Sequence, residues 1–277
     1  SPLAIRFTDT ALMSGLAYDG EGRAQACMGV ATSDVNQDGT LDLLVTNYFD
    51  ETNTLYLQES NGVFRDATRS SGLIAPSLKM LGFGAQFLDA QCDGAADLLV
   101  LNGHIDDMSH AGMPFRMRSQ FFLGDGNARF VEQKADEVGT YFATERLGRA
   151  LALIDFNRDG RQDFVATDLE RPSSLVRNDS YPGNYLTVHL VGTKSHRDAV
   201  GTIVIASAGG TQWTQQLVGG NGYMVTNEKR IHFGLGAVKQ VDRIELQWPS
   251  GKRETYVNLP ANTNWLAIED GSLLPKL

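Results

Sequence analysis

Three short aspartate-rich segments contain the residue types best suited to binding a metal ion. Each follows the pattern DxNxDGxxD, with glutamine in place of asparagine in the second copy. Side-chain oxygens at the first, third, fifth and ninth positions, with a backbone carbonyl at the seventh, can converge on one hard cation. The candidate ligands are Asp34, Asn36, Asp38, Thr40 and Asp42 in the first loop, Asp89, Gln91, Asp93, Ala95 and Asp97 in the second, and Asp155, Asn157, Asp159, Arg161 and Asp163 in the third.

Calcium suits this donor set better than other biological cations. It accepts about six to eight oxygen ligands in irregular geometry, whereas magnesium requires a tighter octahedron, and the loops lack the His and Cys sets that favour zinc. An EF-hand is excluded because the residue it needs as a bidentate glutamate falls on Val45, Val100 or Ala166. Two interpretations remain: structural calcium, or Asx-turns closed by their own hydrogen bonds. The second loop departs from the pattern at Gln91 and has Cys92 in its turn.

The loops mark an internal repeat. Each lies between two short apolar runs, and the runs that follow the loops are residues 43–47, 98–102 and 164–168. Short apolar runs separated by Gly, Asp and Asn are typical of antiparallel strands, and about four of them fit in each repeat. This pattern predicts an all-β fold in which each repeat is one blade of a β-propeller.

Both ends of the repeat array are irregular. Residues 7–9 match the start of a fourth strand at residues 64–66, so they resemble the last strand of a preceding blade. The third repeat ends after residues 175–176 without such a strand. Because closed propellers have about four to eight blades, we expect the C-terminal part of a larger propeller. Its exposed blade edges are candidates for pairing with another copy.

Charge and composition exclude several classes of protein. The 277 residues carry a net charge of −9, which argues against binding to a nucleic-acid backbone. No apolar run is long enough to span a membrane. Residues 1–183 are strongly acidic, whereas residues 184–277 are slightly basic. This break predicts two domains, a blade region over 1–183 and a second domain over 184–277.

The C-terminal region has a different pattern from the blades. Apolar and polar residues alternate with a period of two between turn residues, which predicts a small antiparallel β-sandwich or barrel. The two cysteines are too few for a disulfide scaffold. Cys27 begins a strand and Cys92 lies in a loop, so we expect them at opposite ends of their blades without a disulfide between them.

The longest insertion, residues 103–118, offers a second candidate site. It contains His104, Asp106, Asp107 and His110 within seven positions. These side chains could form an acid–base or transition-metal site on a loop. The alternative is a polar loop held by side-chain to backbone hydrogen bonds, which is favoured because the spacing is not that of a helical zinc motif.

The blades resemble FG-GAP/VCBS repeats, and residues 184–270 resemble an ASPIC/UnbV domain. The second resemblance rests on residues 195–201, 222–223, 232–236 and 248–251. Together they are similar to the family that contains cartilage acidic protein, which implies a calcium-binding extracellular role without an established reaction. His196 departs from the asparagine usual in that domain, and Gln91 departs from the usual loop.

The favoured function is therefore a secreted, calcium-stabilised binding or adhesion module for a protein or glycan partner, not an enzyme. In a bacterium it would lie in the periplasm or at the cell surface. Two alternatives stay open. One is a carbohydrate-active enzyme, or its accessory domain, that uses residues 103–118, and the other is an architectural spacer.

Overall fold

A computed structural model describes residues 5–59, 62–180 and 183–275 of the chain. The fold is built almost entirely of β-strands, as the sequence predicts. Within these ranges, three one-turn α-helices connect strands: α1 (Thr68–Ser71), α2 (Ile74–Ser77) and α3 (Ala135–Val138). In the described ranges, no helix has the length and apolar character needed to cross a membrane.

The three repeats form three consecutive antiparallel sheets, which we call blades 1, 2 and 3. Blade 1 contains β1 (Cys27–Ser33), β2 (Asp42–Asn47), β3 (Thr54–Gln58) and β4 (Phe64–Asp66). Blade 2 contains β5 (Gly82–Leu88), β6 (Asp97–Asn102), β8 (Gln120–Gly124) and β9 (Phe130–Glu132), and β7 (Met117–Arg118) pairs with β10 (Glu145–Arg146) beside it. Blade 3 contains β11 (Gly148–Ile154), β12 (Asp163–Asp168) and β13 (Ser174–Val176).

The innermost strands β1, β5 and β11 lie side by side and pack closely. The pairing register shifts at the same point of all three strands, near their first residues. A Cβ atom added at Gly29 would collide with the carbonyl oxygen of Phe83, and one at Gly84 with that of Arg149. Glycine therefore allows the inner strands to approach one another.

Hydrophobic side chains from adjacent blades interdigitate. Leu44 and Leu55 of blade 1 and Phe87 and Phe122 of blade 2 belong to one buried cluster. A second cluster joins blades 2 and 3 and contains Leu99 and Leu151. Each blade therefore buries its faces against its neighbours, which is the packing expected of propeller-like repeats.

The C-terminal domain is a sandwich of two four-stranded sheets. One sheet has the order β17 (Ile231–Gly236), β14 (Asn184–Val191), β20 (Thr263–Ile268), β21 (Leu273–Pro275), and the other has the order β16 (Thr211–Gln216), β15 (Ile203–Ala208), β18 (Gln240–Gln247), β19 (Arg253–Pro260). The predicted sandwich is present, but β14 and β20 pair in parallel. Strict apolar–polar alternation cannot distinguish parallel from antiparallel pairing, which explains this departure from the prediction.

The structure places β14 directly after residue 183, where the charge changes sign. The exact division at 183 and 184 stays a prediction, because the two regions are in contact rather than separated by an exposed linker. The N–H of Gly183 donates to the carbonyl oxygen of Gln91 at 2.7 Å, and the N–H of Gly236 donates to that of Cys92 at 2.8 Å. The C-terminal domain therefore packs directly on blade 2.

Candidate metal centre

The first aspartate of each loop closes a turn with two backbone N–H groups. Asp34 accepts hydrogen bonds from the backbone nitrogens of Asp38 at 3.0 Å and Gly39 at 2.9 Å. Asp89 and Asp155 accept equivalent bonds in the second and third loops. All three predicted loops therefore adopt the same conformation, and their first carboxylates lie inside the turn.

The third and fifth positions of each loop are in contact. The Asn36 side-chain amide donates to the Asp38 carboxylate at 2.8 Å, and Asn157 donates to Asp159 at 2.7 Å. Gln91 makes the same contact with Asp93 at 2.9 Å. The glutamine substitution in the second loop therefore retains this contact.

The ninth-position aspartate of each loop is held by two backbone donors. Asp42 accepts the N–H of Val35 at 3.0 Å and the N–H of Gln58 at 2.9 Å, and is fully buried. The equivalent residues Asp97 and Asp163 are held in the same way. These carboxylates fasten the loop to the third strand in blades 1 and 2, and to Asn178, two residues after β13, in blade 3. Spacing alone does not reveal this role.

Two further loop positions complete the turn. The fourth position has a positive φ in all three loops, at Gln37, Cys92 and Arg158. The repetition of this uncommon conformation in unrelated residue types shows that the turn imposes it. The sequence alone gives no indication of this position, since glutamine, cysteine and arginine share no property that predicts a positive φ. At the seventh position, the N–H groups of Thr40, Ala95 and Arg161 donate to the fifth-position carboxylate.

Buried acidic groups are crowded together in the first two loops. Burial, together with the charges of Asp38 and Asp34, raises the pKa of Asp42 to about 6. Burial also raises the pKa of Asp89 and of Asp97 to about 7, with Asp93 repelling both. A cation placed among these carboxylates would relieve both the desolvation and the repulsion.

The third loop has a positively charged side chain of its own. The Arg161 guanidinium contacts the Asp159 carboxylate, and its Nε donates to the carbonyl oxygen of Asn178 at 2.8 Å. Burial raises the pKa of Asp155, and the nearby Arg230 and Arg158 oppose this rise. Arginine side chains therefore provide part of the positive charge that a metal ion would bring to this loop.

The loops fit calcium by donor chemistry, but their side chains need to rearrange to hold it. Among the described residues, no group of three or more His, Cys, Asp or Glu side chains is positioned to bind a metal ion. In the present arrangement the Asn36 amide directs its nitrogen at Asp38. Its oxygen would have to turn toward the ion, while the carboxylates can keep their backbone bonds because each has about four acceptor sites.

The C-terminal domain covers the turns of the second and third loops. A Cβ atom at Gly94 would lie 2.5 Å from the Trp213 indole nitrogen, and one at Gly160 would overlap the Tyr185 ring. His232 donates from Nε2 to the carbonyl oxygen of Gly160 at 2.7 Å. Burial lowers the pKa of His232 to about 4, so this contact is made by a neutral imidazole.

A loop of the C-terminal domain, which we call the 219–230 segment, lies across the inner strands of the blades. The Asn221 side chain accepts the N–H of Thr32 at 2.8 Å and donates to its carbonyl oxygen at 3.3 Å. The Asn227 side chain accepts the N–H of Leu153 at 2.9 Å and donates to Gln86 at 2.8 Å. The segment therefore connects β1, β5 and β11.

The 219–230 segment was missed by the sequence analysis. Its glycines indicate turns, and residues 222–223 match the ASPIC/UnbV pattern, but neither feature specifies a contact with the blades. Gln86 is fully buried in an otherwise apolar strand and donates to the carbonyl oxygens of Leu151 and Asn221, both at 2.9 Å. This lone glutamine in a buried strand could have indicated that another part of the chain contacts the blades here, because buried polar groups require hydrogen-bond partners.

The candidate residues of the 103–118 insertion do not form one cluster of shared contacts. His104 is buried, contacts the Tyr48 hydroxyl at 3.2 Å and accepts the N–H of Asp106 at 3.2 Å. Asp107 is exposed and accepts the N–H of Ser109, while His110 is exposed in a short 3-10 turn. These contacts correspond to the polar-loop alternative.

Both cysteine thiols are free. Cys27 is exposed at the start of β1, whereas Cys92 is buried in the second loop. Burial raises the pKa of the Cys92 thiol to about 12. The Cys92 side chain is therefore a neutral packing group at the junction with the C-terminal domain.

Parts of both regions are similar to known protein families. Residues 34–100 match the model of an FG-GAP-like repeat, and residues 192–273 match the model named ASPIC and UnbV. The chain is 26% identical to cartilage acidic protein 1 of Homo sapiens over 252 residues, which are 89% of this chain and 36% of that protein. The Xenopus tropicalis protein of that name is 28% identical over 236 residues, 81% of this chain and 34% of that protein.

These similarities confirm the resemblance drawn from the sequence motifs. Within the chain, one segment is similar to an FG-GAP-like repeat and another is similar to an ASPIC and UnbV domain. It spans about a third of the length of the curated relatives that it matches.

Proposed function

We propose that this chain is a calcium-stabilised binding module of a secreted or extracellular protein. The observation that carries the proposal is the threefold recurrence of one loop conformation. In each loop, the first carboxylate binds the same two N–H groups and the third and fifth side chains are in contact. Turn formation alone would not require acidic residues at the fifth and ninth positions of all three loops.

The oxygens of the first, third, fifth and ninth positions of each loop, with the carbonyl of the seventh, would hold the ion. Calcium would neutralise the crowded carboxylates and would join the loop to the strands that flank it. Because Asp42 and Asp97 also bind the third strand of their blades, and Asp163 binds Asn178 just after it, the metal would stabilise each blade as a unit. Its role is structural rather than catalytic.

The partner is a protein or a glycan, and the binding surface is the combined surface of the blades and the C-terminal domain. An extracellular location is supported by the similarity to cartilage acidic protein 1 and by the millimolar calcium available outside cells, where weak modules of this type are occupied. The net charge of −9 disfavours a nucleic-acid partner. We infer that the chain is not an enzyme.

Calcium titration of chelator-treated protein by calorimetry tests the metal proposal. We expect two or three sites, and a rise in melting temperature that follows the ion concentration because calcium binds only the folded state. Asp38→Asn should remove one site while preserving the size of the side chain. Asp125→Asn is the matched control, since Asp125 closes a turn outside the loops by accepting the N–H groups of Asn127 and Arg129.

Identical melting curves in chelator and in millimolar calcium would disprove the metal proposal. Binding to a glycan array or to matrix proteins that requires calcium would support the module function. Hydrolysis of a polysaccharide that is lost in His104→Ala and unaffected in the exposed variant His110→Ala would instead favour the enzyme alternative. If neither calcium-dependent binding nor polysaccharide hydrolysis were detected, the architectural-spacer alternative would be favoured.

A further inference from the structure

In the third loop, the C-terminal domain and a candidate metal ligand hold opposite sides of one peptide group. The C=O and the N–H of a trans peptide point in opposite directions. The carbonyl oxygen of Gly160 accepts the hydrogen bond from His232 at 2.7 Å. The N–H of the same peptide belongs to Arg161 and donates to the Asp159 carboxylate at 2.9 Å. One planar group therefore connects the C-terminal domain to a candidate calcium ligand.

The second loop has the same arrangement at a different peptide group. The carbonyl oxygen of Cys92 accepts the N–H of Gly236, at the end of β17, at 2.8 Å. The N–H of the next residue, Asp93, donates to the Asp89 carboxylate at 3.0 Å. The C-terminal domain also lies against this carboxylate, since a Cβ atom at Gly234 would overlap its Oδ2 atom. The domain therefore contacts both the backbone and the first candidate ligand of this loop.

The first loop lacks these connections to the C-terminal domain. The equivalent N–H groups of Asp38 and Thr40 donate to the carboxylates of Asp34 and Asp38, as in the other loops. The carbonyl oxygens of the same two peptides belong to Gln37 and Gly39. Among the described residues, neither oxygen accepts a hydrogen bond from the C-terminal domain. The three loops therefore share their internal bonds, but the domain holds only two of them.

The turn of each loop is unfavourable without a stabilising partner. Cys92 and Arg158 have positive φ angles of 55° and 63°, which are uncommon for residues other than glycine, and the turn brings carboxylates together. A cation would stabilise the turn from inside by neutralising these carboxylates. The C-terminal domain stabilises it from outside through the carbonyl groups. Once either partner has ordered the turn, less of the ordering cost remains for the other, which gives positive cooperativity.

We propose that calcium binding at the second and third loops is coupled to docking of the C-terminal domain on the blades. Calcium strengthens the docking, and by reciprocity the docked domain strengthens calcium binding at these two loops. The first loop binds its ion without help from the domain. This inference rests on the proposed function, because it requires loops that bind calcium. It implies that the calcium concentration controls how firmly the two parts of the binding surface are held together.

Calorimetry on full-length chains with one remaining loop tests the coupling. The double variant Asp38→Asn, Asp93→Asn leaves only the third loop able to bind calcium. The double variant Asp93→Asn, Asp159→Asn leaves only the first loop. Each is titrated with calcium, and near-ultraviolet circular dichroism establishes that the chains are folded.

The variant His232→Leu is then added to both backgrounds. It removes the hydrogen bond to Gly160 without changing a candidate ligand. Calcium affinity should fall about tenfold at the third loop and stay unchanged at the first. His196→Leu is the matched control, because His196 is exposed and its bond with the N–H of Asp198 lies within the C-terminal domain. It should leave both affinities unchanged.

Hydrogen exchange gives the reciprocal measurement on the wild-type chain. Calcium should slow exchange of the Gly236 N–H at least about fivefold, because this group donates to the second loop. The slowing should disappear in Asp93→Asn, whose second loop is disabled. The N–H of Trp248, which donates to the carbonyl oxygen of Lys252 in the turn between β18 and β19, is the control and should not respond to calcium.

The outcomes separate this inference from the calcium proposal itself. Absence of calcium binding at every loop would overturn both. If calcium binds, the coupling alone is overturned by an affinity at the third loop that His232→Leu does not change, or by exchange at Gly236 that does not respond to calcium. Equal weakening at the first and third loops would also overturn it, because the substitution would then act on the whole fold rather than through the junction.

Discussion

The aspartate loops and the 219–230 segment are both held by hydrogen bonds to backbone groups, but over very different distances along the chain. Asp34 bonds residues four and five positions away, whereas Asn221 bonds Thr32 across 189 positions. A loop can close as soon as its own residues meet, while the segment can bind only after the inner strands are assembled. The loops therefore shape each blade, and the segment joins the domains.

The second and third loops belong to both kinds of region, since they are closed locally and covered by the C-terminal domain. At the corresponding glycine of the first loop, Gly39, the nearest described atom to an added Cβ is the Thr214 hydroxyl oxygen, 3.9 Å away. Substitutions at matching positions can therefore separate the contribution of the turn from the contribution of the domain junction.

The largest effect is expected for Gly160→Ala compared with Gly39→Ala. The two glycines have similar φ angles of 85° and 88°. In both variants the free energy of unfolding should therefore fall by about 1 to 2 kcal/mol, because alanine is strained at this φ. Only at Gly160 does the new methyl group overlap Tyr185, which adds about 1 to 3 kcal/mol. Urea denaturation should show this difference, and equal losses in the two variants would mean that the junction does not constrain the third loop.

A smaller loss is expected for Asn227→Ala, which removes a link between the segment and the inner strands. It leaves the buried N–H of Leu153 and the side chain of Gln86 without their partner, at a cost of about 2 to 3 kcal/mol. Asn36→Ala, in the first loop, removes a contact with an exposed carboxylate. When calcium is removed by a chelator, it should lower the free energy of unfolding by less than about 1 kcal/mol.

Hydrogen exchange should locate the effect of Asn227→Ala. Amide groups of β11 should exchange faster, together with those of the C-terminal domain, because the link between them is broken. Faster exchange confined to the segment would show that the domains are held together by other contacts.

The contrast between local and distant contacts also explains what could be predicted from the sequence. The blades, the three loops and the C-terminal sandwich were accessible because residues at fixed spacing specify them. The bonds of Asn221 and Asn227 and the parallel pairing of β14 with β20 were not, because each joins residues that no local pattern connects. The hydrogen bond from the Gln58 N–H to Asp42 is an intermediate case, because the two residues are 16 positions apart in the chain.

Glu269 offers a comparison with the crowded carboxylates of the loops. It is almost fully buried, and burial alone would raise its pKa. Hydrogen bonds from the Ser250 hydroxyl, from the Ser195 backbone and hydroxyl, and from the Thr193 backbone nevertheless lower the pKa to about 2. Protein donors therefore satisfy this charge, and a metal ion is unnecessary.

Glu269→Gln should destabilise the chain by about 2 kcal/mol at neutral pH, because the amide replaces charge-assisted bonds. A lowered folded pKa means that the stabilisation is complete above the unfolded value of about 4.3 and is lost as the pH falls toward 2. The difference from wild type should therefore shrink below pH 4, and chelator should not alter it. A difference that stays constant down to pH 2 would disprove the assignment.

The smallest effect on stability is expected for Arg161→Gln, which tests how the third loop differs from the other two. The Arg161 pair with Asp159 is partly exposed, so its loss should cost less than about 1 kcal/mol. The guanidinium competes with calcium for the same carboxylate, so calorimetry should show affinity at this loop rising about three- to tenfold. Arg177→Gln, which frees Asp179 outside the loop, should leave it unchanged. A weaker third site in Arg161→Gln would instead show that Arg161 organises the loop for the ion, so that the three loops reach the same conformation by different balances of charge.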